Sequence, residues 1–380
     1  MVGATLGRLG IFGREAGQLL KEVFGSGQQD GSATAQSDEQ FNLSLARPLA
    51  GEGFWIDFQE SRLACWKTDS QVKADHPLGP SIGDRDSAKS MMDCIAAGAN
   101  GYCTSNTVHG DTRVVVKRTF MLEDGQLQDP LGLWKETRVL SAVAQLPDSS
   151  AKDHLPKYCG SGLTDAGEPY MLMEHIDGRS LESALSDDAR MDYVRIGIGI
   201  TSALEILNEL NVIHQDIKPD NILVRPDGEA VVIDFGTASG QRGIAAYSPI
   251  FKKEQLVPDG NQAYHAPEYE NPGLANSISP KSDVWSVGLV MLRAVTGSSD
   301  FLSALIDAKC RTPQEYQAAL ESTLEVTGVI AESRGAEVPE GFLAAISAML
   351  EFHPDQRPSA AEAALLLKAL ALEDCQMAGA

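Results

Sequence analysis

A chain of 380 residues has room for one large two-lobed domain with an extension, or for two to three separate cores. Its 31 lysines and arginines face 53 aspartates and glutamates, a net charge of −22 that argues against a broad nucleic-acid surface and weakly favours a basic peptide partner. No run of about 18 apolar residues occurs, so no bilayer span is expected.

The start, MVGATLGRLGIFGREAGQLL, lacks the basic-then-apolar layout of a secretory signal, and Val2 stands where N-myristoylation needs glycine. Ile11, Leu19, Leu20, Val23 and Phe24 give residues 10–24 the stripe of a short amphipathic helix. Residues 25–40, GSGQQDGSATAQSDEQ, are almost devoid of apolar side chains and have the composition of a flexible linker. From 41 to about 90 the pattern is mixed and assigns no element. Six scattered cysteines (65, 94, 103, 159, 310 and 375) without a C-x-x-C pair disfavour zinc and disulfide frameworks and fit a reducing compartment, cytoplasmic or organellar.

Further on the texture sharpens. TRVVVKRTF (112–120) has the β-branched content of a strand, LGLWKETRVLSAVAQL (131–146) has helical apolar spacing, and PYMLMEHI (169–176) is a second strand. YVRIGIGITSALEILNELNVI then opens a helix-rich stretch that runs to the C-terminus. Strands first and helices second predict an α+β chain with two lobes and a cleft between them, where ligands usually sit.

Within the helical part, NVIHQDIKPDNILV (211–224) sets an eight-residue run, His214 to Asn221, between two apolar clips. Phosphoryl transfer would use such a loop, since it asks for a carboxylate at the acceptor hydroxyl, counter-charge for phosphate and metal ligands. Asp216 can orient the hydroxyl or take its proton, Lys218 can neutralise phosphate charge, and Asn221 offers an amide oxygen to magnesium, a hard cation. A second metal carboxylate follows in VVIDFGTA as Asp234.

H-x-D-x-K-x-x-N with D-F-G eighteen residues after its Asp resembles the catalytic and magnesium loops of eukaryotic-type serine/threonine protein kinases, Lys218 being the mark of that branch. The resemblance implies a bilobal protein-kinase-like fold, with a small β-rich N-lobe (91–174) and a larger helical C-lobe (177–372) in a kinase domain at 91–372. Residues 1–40 would be an extension with a linker, and 41–90 an unassigned segment that is a candidate for packing on the small lobe. It further implies Lys117 as the phosphate-contacting lysine and Glu136 as its ion-pair partner. Leu140, Phe235 and His214 would form a hydrophobic stack, with Met173 as gatekeeper and the backbone of Glu174 to Ile176 at adenine. Asp283 would brace the catalytic loop, and Arg357 would pair with Glu268 of the A-P-E sequence. ATP and Mg2+ are the implied cofactors, and a protein with a serine or threonine acceptor is the implied substrate. Residues 1–90 are left as a docking arm for a partner or regulator.

The pattern departs from the family in three places. In IAAGANGYCT (95–104), Gly98 and Gly101 take two of the three glycine positions of the phosphate loop and Cys103 takes the usual valine, but Ala96 and Asn100 replace the first glycine and the tip aromatic. A rival glycine pattern, LAGEGFWIDF (49–58), has Gly51, Gly53 and a downstream Lys73, and otherwise reads as a strand pair on the small lobe. Gln215 stands in place of the arginine that binds a phosphorylated activation segment, which implies activity independent of such phosphorylation. Asn261 replaces a threonine expected after Gly260. Two other readings stay open: an ATP-binding scaffold with vestigial catalysis, and a small-molecule kinase. The YHAPE and SDVWSVG sequences weigh against the latter.

Overall fold

A computed structural model describes residues 56–57, 62–63, 82–98, 101–108, 112–123, 125–164, 168–187, 191–240, 262–271, 274, 277–298, 302–309, 311–336 and 338–378. The helix expected over 10–24, the linker, Gly51, Gly53, Lys73, Asn100 and Asn261 lie outside these residues. The described chain divides into two compact units, one up to Asp177 joined by the segment from Ile233, the other comprising Gly178–Val232 and the C-terminal part.

The first unit begins with a short antiparallel pair, β1 (Ile56–Asp57) and β2 (Arg62–Leu63). A one-turn helix, α1 (Arg85–Lys89), follows, capped by Asp84, whose carboxylate accepts from Ser87 N at 2.8 Å. The strand pair expected over 49–58 overlaps β1 but not β2, and α1 had no clear sequence signal. Five strands then form one antiparallel sheet in the order β3-β4-β5-β7-β6: β3 (Cys94–Ala97), β4 (Gly101–Val108), β5 (Thr112–Thr119), β6 (Tyr158–Leu163) and β7 (Pro169–Glu174). The valines of β5 put it at the centre, paired along its length with β4 on one side and with β7 on the other.

Because side chains alternate along a strand, β5 sends Val115 and Lys117 to one face and Val114, Val116 and Arg118 to the other. The Lys117 face carries helix α2 (Pro130–Gln145). Pro130 opens that helix without wasting an amide, and Asp129 caps it by accepting from Gly132 N at 3.0 Å. Leu133, Val139, Leu140 and Val143 form its buried stripe.

The second unit is mostly helical. A small sheet of order β11-β10-β8 joins β8 (Arg179–Ser180), β10 (Ile222–Val224) and β11 (Ala230–Val232), while β9 (Val212–Ile213) precedes the His214 loop. The helices are α3 (Leu181–Ser186), α4 (Tyr193–Glu209), α5 (Pro267–Glu270), α6 (Pro280–Thr296), α7 (Ser303–Ala308), α8 (Pro313–Arg334), α9 (Phe342–Met349) and α10 (Ala360–Ala378). Helix α6 is the centre of this unit, buried almost without interruption from Ser282 to Thr296 and stopped by Gly297 at φ 72°. Its Trp285 donates to the Tyr316 hydroxyl at 2.9 Å, and that hydroxyl donates to Leu350 O at 2.6 Å, so the two large buried aromatics are satisfied together. Among the described residues no helix is long and apolar enough to cross a membrane. A five-stranded antiparallel sheet followed by a mostly helical region is the architecture that the resemblance implied.

Candidate active site

In the first unit the side chains of Lys117, Glu136 and Asp234 meet. Lys117 Nζ lies 2.5 Å from Glu136 Oε2 and 2.9 Å from Asp234 Oδ1. Strand β5 aims the lysine, and the first turns of α2 present Glu136 to it. Burial works to discharge Lys117, but the Asp234 and Glu136 carboxylates outweigh it and hold the ammonium well above its ordinary value. Burial also pushes the Glu136 carboxyl up, with Lys117 pulling against it, and direct contact with an ammonium favours the ionised pair. Asp234 is the exposed member, its side chain 48% accessible, and its backbone sits at φ 67°, a left-handed conformation that costs a non-glycine residue about 1–2 kcal/mol. The neighbouring Phe235 is fully buried, and its amide donates to Glu136.

Cys103 is the register partner of Lys117, so it shares the lysine's face of the sheet; burial pushes its thiol up to about 12 and keeps it protonated. The two glycines of the expected phosphate loop differ in kind. Gly98 N donates to Gly101 O at 2.9 Å, and an added Cβ at Gly98 would meet nothing closer than 3.8 Å. A Cβ at Gly101 would run into the Arg118 carbonyl, so strand packing by itself requires glycine there.

At the end of β7, Met173 pairs in register with Val115 and therefore lies on the Lys117 face. Beyond it, Glu174 N donates to Lys157 O at 2.9 Å and His175 N to Arg113 O at 3.4 Å. The Ile176 N–H has no backbone partner of this kind among the described residues.

In the second unit, the His214–Asn221 loop hangs between β9 and β10. Asp283, on α6, takes both amides at its start: His214 N donates to Oδ2 at 2.7 Å and Gln215 N to Oδ1 at 2.9 Å. Burial pushes the Asp283 carboxyl up to about 7, and the two backbone amides oppose that push. Gln215 is held at φ 67°, a strain that those two bonds offset. Asp216 Oδ2 accepts from Lys218 Nζ at 2.6 Å and from Asn221 Nδ2 at 2.8 Å. Asp216, Lys218 and Asn221 therefore touch one another. Residues 219–221 form a 3-10 turn, and that turn brings Asn221 back onto Asp216.

The A-P-E glutamate and its arginine also meet. Arg357 holds Glu268 through two parallel bonds of 2.7 and 2.8 Å, both side chains 0% accessible, and Ser282 donates to the same carboxylate at 2.6 Å. Sequence reading missed Ser282, and it missed Lys309, whose buried ammonium donates to His265 O at 3.0 Å and pairs with Glu270 at 2.6 Å. Neither the left-handed residues nor a buried lysine had a sequence signal.

The oxygen donors fit a magnesium ion in kind. Asn221 spends its amide nitrogen on Asp216, which leaves Oδ1 for a cation, and Asp234 is accessible. No cluster of three or more His, Cys, Asp or Glu suited to a metal occurs among the described residues.

Comparison with known proteins agrees with this geometry. The protein kinase domain model matches residues 95–365. The serine/threonine-protein kinase PknK of Mycobacterium tuberculosis is 27% identical over 216 residues, covering 56% of this chain and 18% of PknK. The probable serine/threonine-protein kinase PknB of Lactococcus lactis is 26% identical over 210 residues, covering 53% of this chain and 30% of PknB. The serine/threonine-protein kinase pak-1 of Caenorhabditis elegans is 26% identical over 239 residues, covering 62% of this chain and 38% of pak-1. The chain thus aligns with less than two-fifths of the length of each of these relatives. With its fold, its motif contacts and a family match over most of its length, this chain belongs to the protein kinase family, and its domain is one that uses ATP.

Proposed function

We propose that the chain transfers the γ-phosphoryl group of ATP to serine or threonine hydroxyls of a protein, and that its active arrangement does not require a phosphorylated activation segment. The observation that carries this reading is the Lys117 ammonium held between Glu136 and Asp234. Under this reading Lys117 binds the nucleotide's phosphates, with Gly98, Gly101 and Cys103 along its edge and Met173, Glu174 and Ile176 at the base. Asp216 orients the acceptor hydroxyl and receives its proton, and Lys218 neutralises charge on the transferred group. Asn221 and Asp234 would hold magnesium, which supplies charge neutralisation for the phosphates when bound. Independence from phosphorylation rests on two features: Gln215 has no charge to offer a phosphate, and the carboxylate of Asp283 fixes the loop backbone. The same reading puts the chain in a reducing compartment.

The test is transfer of labelled phosphate from ATP with magnesium to a basic generic protein acceptor. Wild type should label the acceptor equally before and after phosphatase treatment. Asp216→Asn should lower transfer by about 10²–10⁴-fold while ATP still binds. Normal labelling by Asp216→Asn refutes the role given to Asp216, and a loss of activity on phosphatase treatment refutes the phosphorylation-independent state.

A further inference from the structure

The face of the five-stranded sheet turned away from Lys117 is as apolar as a core. Val108, Val114, Val116, Tyr170 and Leu172 cluster there, and Val114, Val116 and Leu172 are 0% accessible. Among the described residues, the helices packed on this sheet are α2, which lies on the Lys117 face, and α1, which reaches β3 and β4. A bare strand face would leave those three side chains open to water. We propose that this face is a docking surface and that its occupant is the chain's own segment 41–81.

Three observations select that segment. The described body starts on this face: Ile82 packs against Tyr102 and Phe120, and its carbonyl accepts from Met121 N at 2.8 Å. Composition changes at the right place, because 25–40 is polar whereas 41–81 contains Phe54, Trp55, Phe58 and Trp66. Five strands span roughly 20 Å, which an extended chain crosses in about seven residues, so the length is ample. The segment after Asp234 is a poorer candidate, because Asp234 itself meets Lys117 on the opposite face. A segment docked behind the sheet buttresses β5 and leaves the Lys117 face open. It therefore works as a support for the lysine's strand and is not an inhibitor that plugs the nucleotide site.

The test uses the full chain with p-benzoylphenylalanine in place of Asn106, which shares this face and pairs in register with Val114. Irradiation followed by peptide mass spectrometry should give cross-links within one chain to peptides from 41–81. Cross-links to 241–261, cross-links to a second copy, or the absence of any cross-link overturn the proposal. A second measurement does not depend on that variant. Cys159 packs against the cluster, whereas Cys103 lies on the Lys117 face. In full-length Trp55→Ser/Trp66→Ser, alkylation of Cys159 by iodoacetamide should accelerate about tenfold with Cys103 unchanged. An unchanged Cys159 rate, or an equal rise at Cys103, overturns the proposal.

Discussion

Replacing Asp283 by asparagine keeps the shape of the side chain and turns one of its two acceptors into a donor. In the wild type both carboxylate oxygens take amide protons, from His214 at 2.7 Å and Gln215 at 2.9 Å. A hydrogen bond to a charged acceptor contributes about 1.5–3 kcal/mol, and the variant loses one and sets an amide N–H against another. Gln215, at φ 67°, then has about 1–2 kcal/mol of backbone strain with half its restraint gone. That strain is common to wild type and variant, so the bias added against the native loop is the lost bond plus the N–H clash, roughly 2–4 kcal/mol, and the middle of that range depopulates the conformation about 100-fold. Initial rates at saturating ATP should accordingly show kcat reduced about 10²–10³-fold. ATP affinity, measured by calorimetry, should stay within about threefold, because Lys117, Glu136, Asp234 and the Ile176 amide are untouched. A variant that keeps kcat within about threefold of wild type would show that Asp283 does not set the loop.

Other substitutions test the remaining contacts. Lys117→Ala should lower phosphoryl transfer by about 10²–10⁴-fold. It should also reduce stability to urea by about 1–3 kcal/mol, a figure discounted for the partial exposure of the lysine; unchanged transfer would remove Lys117 from the site. Arg357→Ala strands a buried glutamate and should cost about 3–5 kcal/mol, with the Arg357→Ala/Glu268→Ala double variant losing less than the sum of the two single variants; additive losses would mean that the pair is not coupled. Burial and the nearby Lys309 hold the His265 imidazole below its ordinary pKa, so the unfolded chain binds more protons as pH falls below about 6.5 and the folded state loses stability there. The drop in melting temperature between pH 7.5 and 5.5 should shrink in His265→Gln, and an undiminished drop would assign it to other groups.

The catalytic loop was legible because its chemistry forces an unusual texture: polar residues held between apolar clips cannot be a strand or an ordinary surface turn. Lys117 and Glu136 were legible together, since a valine-rich strand and a helix with a clean apolar stripe place them on facing elements. Gly101–Val108 was harder. Of its sequence, GYCTSNTV, the pattern assigns only the first four residues, to the expected phosphate loop, and the whole becomes a strand by pairing with all eight residues of β5. That pairing also gives Gly101 a packing reason that a glycine count does not reveal. Helix α1 is one turn long and leaves no periodicity to find, and the left-handed Gln215 and Asp234 carry side chains that do not announce such a backbone. In each case the deciding term was tertiary, a neighbour distant in sequence that no local window contains.

The contact between Glu268 and Arg357 joins positions 89 residues apart, and neither side chain has water as a fallback. Such a contact closes only when the intervening chain has already folded around it, so it behaves as a latch fastened late. Weakening it should therefore appear chiefly as faster unfolding, with the refolding rate little changed, and the lifetime of the folded helical unit would be set at that one carboxylate.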